Sequence, residues 1–262
     1  MPVKRPDKHT LYQEAVQCAD AEVKFVERVF RKRYDRPATT LREDFCGTAL
    51  VACEWVKRRA SNEAWGVDLD QPTLDWGVKH NLSRLTPEAA GRVHLINGDL
   101  LEVTTEPVDA IAALNFSYFI FKERETLLTY FRNAHRSLRP EGIFVLDAYG
   151  GYEAQQESEE ETKHKKFTYI WDQVSYNPIN DHARCHIHFR FPNGKMMKRA
   201  FTYDWRLWTL GSIRDALRDA GFRETEVFWE GTAKDGSGNG VFRAQKTAEN
   251  SASWVAYIVA IP

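Results

Sequence analysis

The chain has no run of about 18 apolar residues, the length needed to cross a bilayer, and it opens without a charged segment leading into an apolar signal core. These absences predict a cytosolic protein with no membrane partner. Its four cysteines, Cys18, Cys46, Cys53 and Cys185, show no paired metal-ligand spacing, so free thiols and no metal are expected. A charge of one sign is also missing. With 36 basic and 37 acidic side chains the formal net charge is −1, which provides no global field for a polyanion and makes nucleic acid an unexpected partner. The basic runs Arg31-Lys32-Arg33 and Lys57-Arg58-Arg59 each fall near the end of a predicted helix, where they suit the helix dipole or a solvated face. Gly-x-Gly-x-x-Gly is absent too, which weighs against nicotinamide-dependent oxidoreduction.

What is present is apolar and patterned. Hydrophobic residues make up 43% of the 262, with eight Trp and 15 Phe, enough for a sizeable core in one large domain or two small ones. Helical spacing runs from Leu11 to Tyr34, and Thr39-Thr40-Leu41 then begins a strand that enters a turn at Gly47. Helices are predicted from Ala49 to Arg58, Pro72 to Leu85 and Glu123 to Leu138, and strands over Ala64 to Leu69, Arg92 to Ile96, Val108 to Leu114 and Ile143 to Leu146. This alternation implies a parallel sheet flanked by helices.

The pattern changes after Tyr149-Gly150-Gly151. Glu153 to Lys166 is polar and charge-segregated and reads as a mobile connection or a short helix. Phe167 to Val174, His182 to Phe191 and Lys198 to Trp205 alternate with period two, as an antiparallel meander does. Leu210 to Ala220 returns to helix, and Glu224 to Glu230 and Ser253 to Ile261 read as the closing strands, with Gly236 to Gly240 as a hairpin turn before the last. The expected architecture is α/β: a Rossmann-like seven-strand sheet flanked by helices, the last strand antiparallel, with an antiparallel β insertion before the penultimate core strand. As one domain it divides into an N-terminal helical segment (1–38), a cofactor-binding core (39–150), a substrate-lid insertion (151–209) and a core completion (210–262).

Two motifs suggest the chemistry. Glu43-Asp44-Phe45-Cys46-Gly47-Thr48-Ala49 is followed about 20 residues later by Gly66-Val67-Asp68-Leu69-Asp70, a strand, turn, helix and strand ending in an acid, which suits the paired hydroxyls of a ribose. With Asn97-Gly98-Asp99-Leu100, Asn115-Phe116-Ser117-Tyr118 and Leu138-Arg139-Pro140-Glu141-Gly142, the succession resembles the class I S-adenosylmethionine-dependent methyltransferases, of the bacterial small-molecule type. The resemblance covers most of residues 39 to 150 and, more loosely, those from 210 onward. The insertion resembles that of N-methyltransferases acting on amino sugars or glycine. Phe45 and Ala49 depart from the family loop, which usually has glycines there.

The resemblance implies S-adenosylmethionine as cofactor, S-adenosylhomocysteine as product and a small-molecule methyl acceptor. It places Asp68 on the ribose, with Leu69 beside it, and Asp99 and Leu100 at the adenine. Either Glu43 or Asp44 organises the methionine end, Cys46 and Gly47 supply the close-approach loop, and Asn115 lies where cofactor and acceptor meet. Tyr12 is the candidate aromatic closing over the methionine end. Tyr118, Tyr203 and Arg206 are the candidates for handling the acceptor: Arg206 as a clamp for a carboxylate or phosphate, and Trp205 and Trp208 as faces for a cationic amine. His186 and His188 lack further ligands for a metal. The alternatives are a non-catalytic cofactor-binding or interaction protein and an NAD-dependent oxidoreductase. The acceptor atom and the oligomeric state are not specified by the sequence.

Overall fold

A computed structural model describes residues 7–233 and 238–262. The chain begins with two helices, α1 (Lys8–Ala15) and α2 (Ala19–Tyr34), where helical spacing predicts one. The break has a packing cause. Leu11 of α1 joins Phe167, Ile187 and Phe189 of the insertion, whereas Val23, Val26 and Phe30 of α2 join the core of the main sheet. One straight helix cannot serve both surfaces, so the chain bends at Val16–Cys18, and Asp7 caps the first turn of α1 by accepting from His9 N.

The alternating unit follows: β1 (Thr40–Asp44), α3 (Leu50–Arg58), β2 (Glu63–Asp68), α4 (Gln71–His80), the single turn α5 (Pro87–Ala90), β3 (Val93–Asn97), β4 (Val108–Ala113), α6 (Arg124–Arg136) and β5 (Leu138–Gly150). The helix expected to reach Leu85 stops at His80 and continues as a 3-10 turn over Leu82–Arg84. β5 is far longer than the expected four residues, starting at Leu138, where α6 was expected to end. β6 (Ser158–Lys163), β7 (Thr168–Asn177), β8 (His182–Arg190) and β9 (Met196–Arg206) form a separate four-stranded antiparallel sheet in sequence order. β6 occupies the segment expected to be a mobile connection. An edge strand pairs on one side only, so the exposed Glu159, Glu160 and Glu161 are tolerated there.

The chain then returns through α7 (Leu210–Asp219), β10 (Glu224–Thr232), β11 (Gly238–Gln245) and β12 (Trp254–Ile261). The main sheet has the order β11-β10-β12-β5-β4-β1-β2-β3. Seven of these strands form the expected core: β3, β2, β1, β4 and β5 are parallel, and β12 enters antiparallel between β5 and β10. The eighth, β11, is an unexpected edge strand that extends the sheet by pairing with β10. Of the Gly236 to Gly240 turn, Gly236 and Ser237 lie outside the described residues. Strand order reverses between β1 and β4, the topological switch point at which ligands enter such sheets. No helix among the described residues is long and apolar enough to cross a membrane.

Candidate active site

The turn after β1 is built from period-two alternation. Asp44 points beneath α6, where its carboxylate takes two hydrogen bonds from Arg42 (2.7 and 3.0 Å) and one from the Tyr130 hydroxyl (2.8 Å), all fully buried. Glu43 faces the opposite side of the sheet and accepts from Ala52 N in the first turn of α3 (2.8 Å). Of the two adjacent acids, Asp44 is therefore occupied in the core and removed from the ligand crevice. Phe45, Gly47 and Ala49 all take left-handed backbone conformations, with φ of 55°, 52° and 54°, so the loop keeps a glycine-like path at two non-glycine positions. α4 holds it closely: a Cβ at Gly77 would lie 2.5 Å from the Thr48 carbonyl oxygen. Cys46 is buried, and burial raises its thiol pKa well above normal, so it is no nucleophile.

Asp68 at the end of β2 joins this loop. Its Oδ2 accepts from Gly47 N (2.7 Å) and its Oδ1 from Asp70 N (2.9 Å). Asp70 caps α4, accepting from the Thr73 amide and hydroxyl. Asn97 braces the same strand end by donating to the carbonyls of Asp68 and Leu69. The Asp99 carboxylate caps its own turn through Leu101 N (2.9 Å), and Leu100 is buried with its carbonyl accepting from Asn133.

Two cavities meet over these strand ends. One is bounded by Cys46, Gly47, Asp68, Thr73 and Gln17, and the other by Tyr149, Tyr169, Trp171, Glu153 and Glu160. Tyr12, Asn115, Tyr203 and Trp205 line both. The second holds about 220 Å³ of space and opens to solvent. Among the described residues no Lys or Arg lines either cavity. α1 roofs the first: His9 lies between Trp76 and Phe201, with ring centroids 5.2 and 6.0 Å away, and Gln13 donates to the Thr48 hydroxyl (2.7 Å).

The structure thus brings together Tyr12, Cys46, Gly47, Asp68, Asn115 and Tyr203. Glu43, Leu69, Asp99 and Leu100 flank the cavities without lining them. Two expected acceptor-handling residues are corrected. Tyr118 is fully buried and its hydroxyl donates to the Asp147 carbonyl (2.8 Å). Arg206 falls on the outward side of β9, because alternation turns Tyr203 and Trp205 inward. It stacks 3.9 Å over Trp208 and donates to the Lys122 carbonyl, while Trp208 donates to the Phe121 carbonyl. This pair latches the insertion to the core and touches neither cavity. His186 lies 2.9 Å from the Thr202 hydroxyl, and His188 lies between Asp172 and Arg199 N. Among the described residues no group of three metal-ligating side chains forms.

Sequence reasoning missed three residues near the site: His9, Glu22 and Asp147. The available signal was an acid within an otherwise apolar stretch, as Asp147 is in Val145-Leu146-Asp147-Ala148. Burial raises the pKa of Asp147 to about 7, of Glu22 to about 7, with Asp147 a further cause, and of Glu43 to about 8. None ion-pairs with Lys or Arg among the described residues. Their folded-state pKa values exceed the ordinary ones, so the stability they confer is complete below about pH 4 and is lost as pH rises through 7 to 8. Thermal melts of the free protein are expected to give a lower Tm at about pH 8.5 than at about pH 6. A Tm that rises across that window would contradict this placement of the three carboxyls.

A family model described as a methyltransferase domain matches residues 44–146. Among solved structures, an S-adenosylmethionine-dependent methyltransferase from Clostridium acetobutylicum is similar, with a TM-score of 0.70 and 16% identity over 97% of each chain. Streptomyces venezuelae DesVI has a TM-score of 0.69 and 18% identity over 100% of both chains. CalS10, an amino pentose methyltransferase from Micromonospora echinaspora solved with S-adenosylmethionine bound, has a TM-score of 0.66 and 15% identity over 98% of each. A sequence search of curated proteins finds no match. Residues 44–146 thus match a methyltransferase domain, and the whole chain, with its seven-strand core, one reversed strand and crevice at the switch point, shares the fold of S-adenosylmethionine-dependent methyltransferases.

Proposed function

We propose that this chain is an S-adenosylmethionine-dependent methyltransferase that acts on an amine of a small molecule, bound in the aromatic cavity beside the cofactor. The observation that carries the reading is the shared wall: Tyr12, Asn115, Tyr203 and Trp205 line both cavities, so ligands in the two meet there. The crevice suits the cofactor's charge. Gln17 Oε1 and Glu22 Oε2 are buried without hydrogen-bond partners, and Glu43 and Asp147 lie near Glu22 with no basic neighbour. Gln17, which lines the cofactor cavity, is thus a free acceptor for the ammonium of the methionine end, and the acids behind it set no positive charge against that group. When bound, S-adenosylmethionine supplies an electrophilic methyl carbon. An acceptor nitrogen held at the Tyr12–Asn115–Tyr203–Trp205 wall would take that methyl group with its lone pair, the sulfonium would leave as a neutral thioether, and the nitrogen's proton would pass to solvent.

The chain's own task is positioning, which can contribute a large part of the rate in such a displacement. Asp68 holds the ribose hydroxyls while fixing the Gly47 loop, and Cys46 and Gly47 offer their backbone. Glu43 acts through the first turn of α3, not by touching the ligand. Leu69, exposed at the rim, offers a face to the adenine, with Asp99 and Leu100 at its far edge. Tyr12 and Tyr203, which line both cavities, close the junction.

An amine is favoured by the lining. Tyr203 stacks on Trp205 at 4.3 Å, and Trp171 lies 5.9 Å from each. Glu153 and Glu160 add negative charge, and no Lys or Arg among the described residues lines the cavity to receive a carboxylate or phosphate. The similar proteins include a sugar N-methyltransferase, a glycopeptide N-methyltransferase and an amino pentose methyltransferase. The test is a screen with isotope-labelled S-adenosylmethionine against amino sugars and simple primary amines, each paired with its hydroxyl analogue and its phosphorylated form. Transfer confined to unphosphorylated amines is expected. Transfer to the hydroxyl analogues, or only to phosphorylated ones, would reject the amine reading.

A further inference from the structure

We infer that Asp147 is a positioning residue, whose carboxylate sets the Asn115–Phe116 turn at the junction of the two cavities. This inference deepens the proposed function, since it concerns where cofactor and acceptor meet. β4 ends at Ala113, and the chain must then turn sharply to present Asn115 to both cavities. It does so with two successive left-handed residues, Asn115 at φ 59° and Phe116 at φ 58°. Asparagine tolerates that region, but a phenylalanine there is uncommon and holds the conformation only when its surroundings impose it.

Asp147 imposes it. Its Oδ2 accepts from Asn115 N at 2.7 Å and its Oδ1 from Phe116 N at 2.8 Å, so a single carboxylate holds both amides of the turn. Consecutive N–H groups in this conformation form an anion-binding concavity, and here a side chain of the same fold fills it. Hydrogen bonds to an ionised acceptor are among the stronger ones. The carboxylate is itself fixed, because β5 pairs with β12 at this level, Asp147 opposite Tyr257. The Tyr118 hydroxyl donates to the Asp147 carbonyl, which ties the 3-10 turn after Phe116 to the same residue. Phe116 in turn packs 4.8 Å from Tyr149, on the wall of the aromatic cavity.

The groups facing Asp147 are Glu22 from α2, Tyr12 from α1, Tyr118 and Tyr257, and none carries positive charge. The ionised form offers an acceptor to both amides, and since burial raises this pKa to about 7 the clamp is complete above neutral pH, where the experiment is run, at about pH 8. A protonated carboxyl would turn one oxygen's hydrogen toward an N–H or leave that amide weakly bonded.

The experiment uses the full chain and needs no known acceptor. Asp147→Asn keeps the volume but sets an NH2 against one of the two amides. Hydrogen exchange at Asn115 and Phe116 is expected to accelerate at least about tenfold, their amide proton resonances to move upfield, and affinity for S-adenosylmethionine to fall by a similar factor. Phe116→Gly supplies the rescue, because glycine takes φ near +60° without strain. Adding Asp147→Asn to Phe116→Gly is expected to change exchange at Asn115 and cofactor affinity by less than about threefold. Resonances, exchange and affinity all unchanged in Asp147→Asn would overturn the assignment. So would exchange that rises equally in β7–β9 and α7 with no rescue by glycine, which marks general loosening. If the unaltered protein fails to bind S-adenosylmethionine, the proposed function fails, while the amide readouts still decide the role of Asp147.

Discussion

Asp68→Ala is expected to weaken S-adenosylmethionine binding at least about 100-fold, because it removes two sets of charge-assisted hydrogen bonds at once. One set is internal: the carboxylate now receives Gly47 N and Asp70 N, and so fixes the loop and the first turn of α4. The other is the pair of ribose hydroxyls assigned to it, for which each oxygen keeps a free lone pair. Asp68→Asn separates the two. Its amide oxygen can still accept from Gly47 N, while its NH2 opposes Asp70 N and cannot accept from a hydroxyl, so an intermediate loss is expected. Calorimetric titration of the three proteins checks the order. Equal affinities in all three would remove Asp68 from the cofactor site, and loss in Asp68→Ala with none in Asp68→Asn would restrict it to holding the loop.

The largest effect on stability is expected from Arg42→Ala. Arg42 and Asp44 are both wholly buried beneath α6, joined by two hydrogen bonds, and Tyr130 completes the carboxylate's partners. One guanidinium nitrogen, Nη1, lacks a partner, so the pair is well but not fully satisfied. Removing the arginine leaves a buried carboxylate with only a tyrosine hydroxyl, at a cost of about 3–5 kcal/mol in urea unfolding. Arg42→Met with Asp44→Leu removes both charges and fills the space with apolar groups, and it is expected to recover at least about half of that loss. A double variant as unstable as Arg42→Ala would show that the site needs the ion pair itself. Either way, Asp44 acts on the fold, while Glu43 on the opposite face of β1 holds the first turn of α3.

The contrast between these two acids shows what was legible in the sequence. Strands and helices with strong periodicity, and the acid ending β2, could be read because burial imposes period two or 3.6 on the residues themselves. The assignment of Glu43 against Asp44 could not, since two adjacent acids differ only in which face of β1 each takes, and a one-residue change of register exchanges them. Arg206 failed for the same reason on β9, where Tyr203 and Trp205 occupy the inward positions and the cation is left outside. β6 was hidden by its composition. Its acids read as a solvated connection, yet an edge strand carries such residues without penalty. The break between α1 and α2 depended on Leu11 finding the insertion more than 150 residues away, and Asp147 was concealed inside an apolar run whose pairing partners lie in β12 and the turn after β4.

Shape and lining together explain why this crevice suits a methyltransferase. Five parallel strands bring Gly47, Asp68 and Asn115 to one edge, the reversed β12 fixes β5 and hence Asp147, and the insertion lays an aromatic wall over the same edge. Each part follows from a local rule, and only their convergence makes a site.

Calorimetric titration of the folded wild-type chain with S-adenosylmethionine, S-adenosylhomocysteine and, in parallel, NAD tests the central claim most directly. Saturable binding of the two sulfur ligands near one equivalent, with NAD silent, is the predicted result. Binding of NAD, or no binding of either sulfur ligand by a sample that melts cooperatively, would contradict the account.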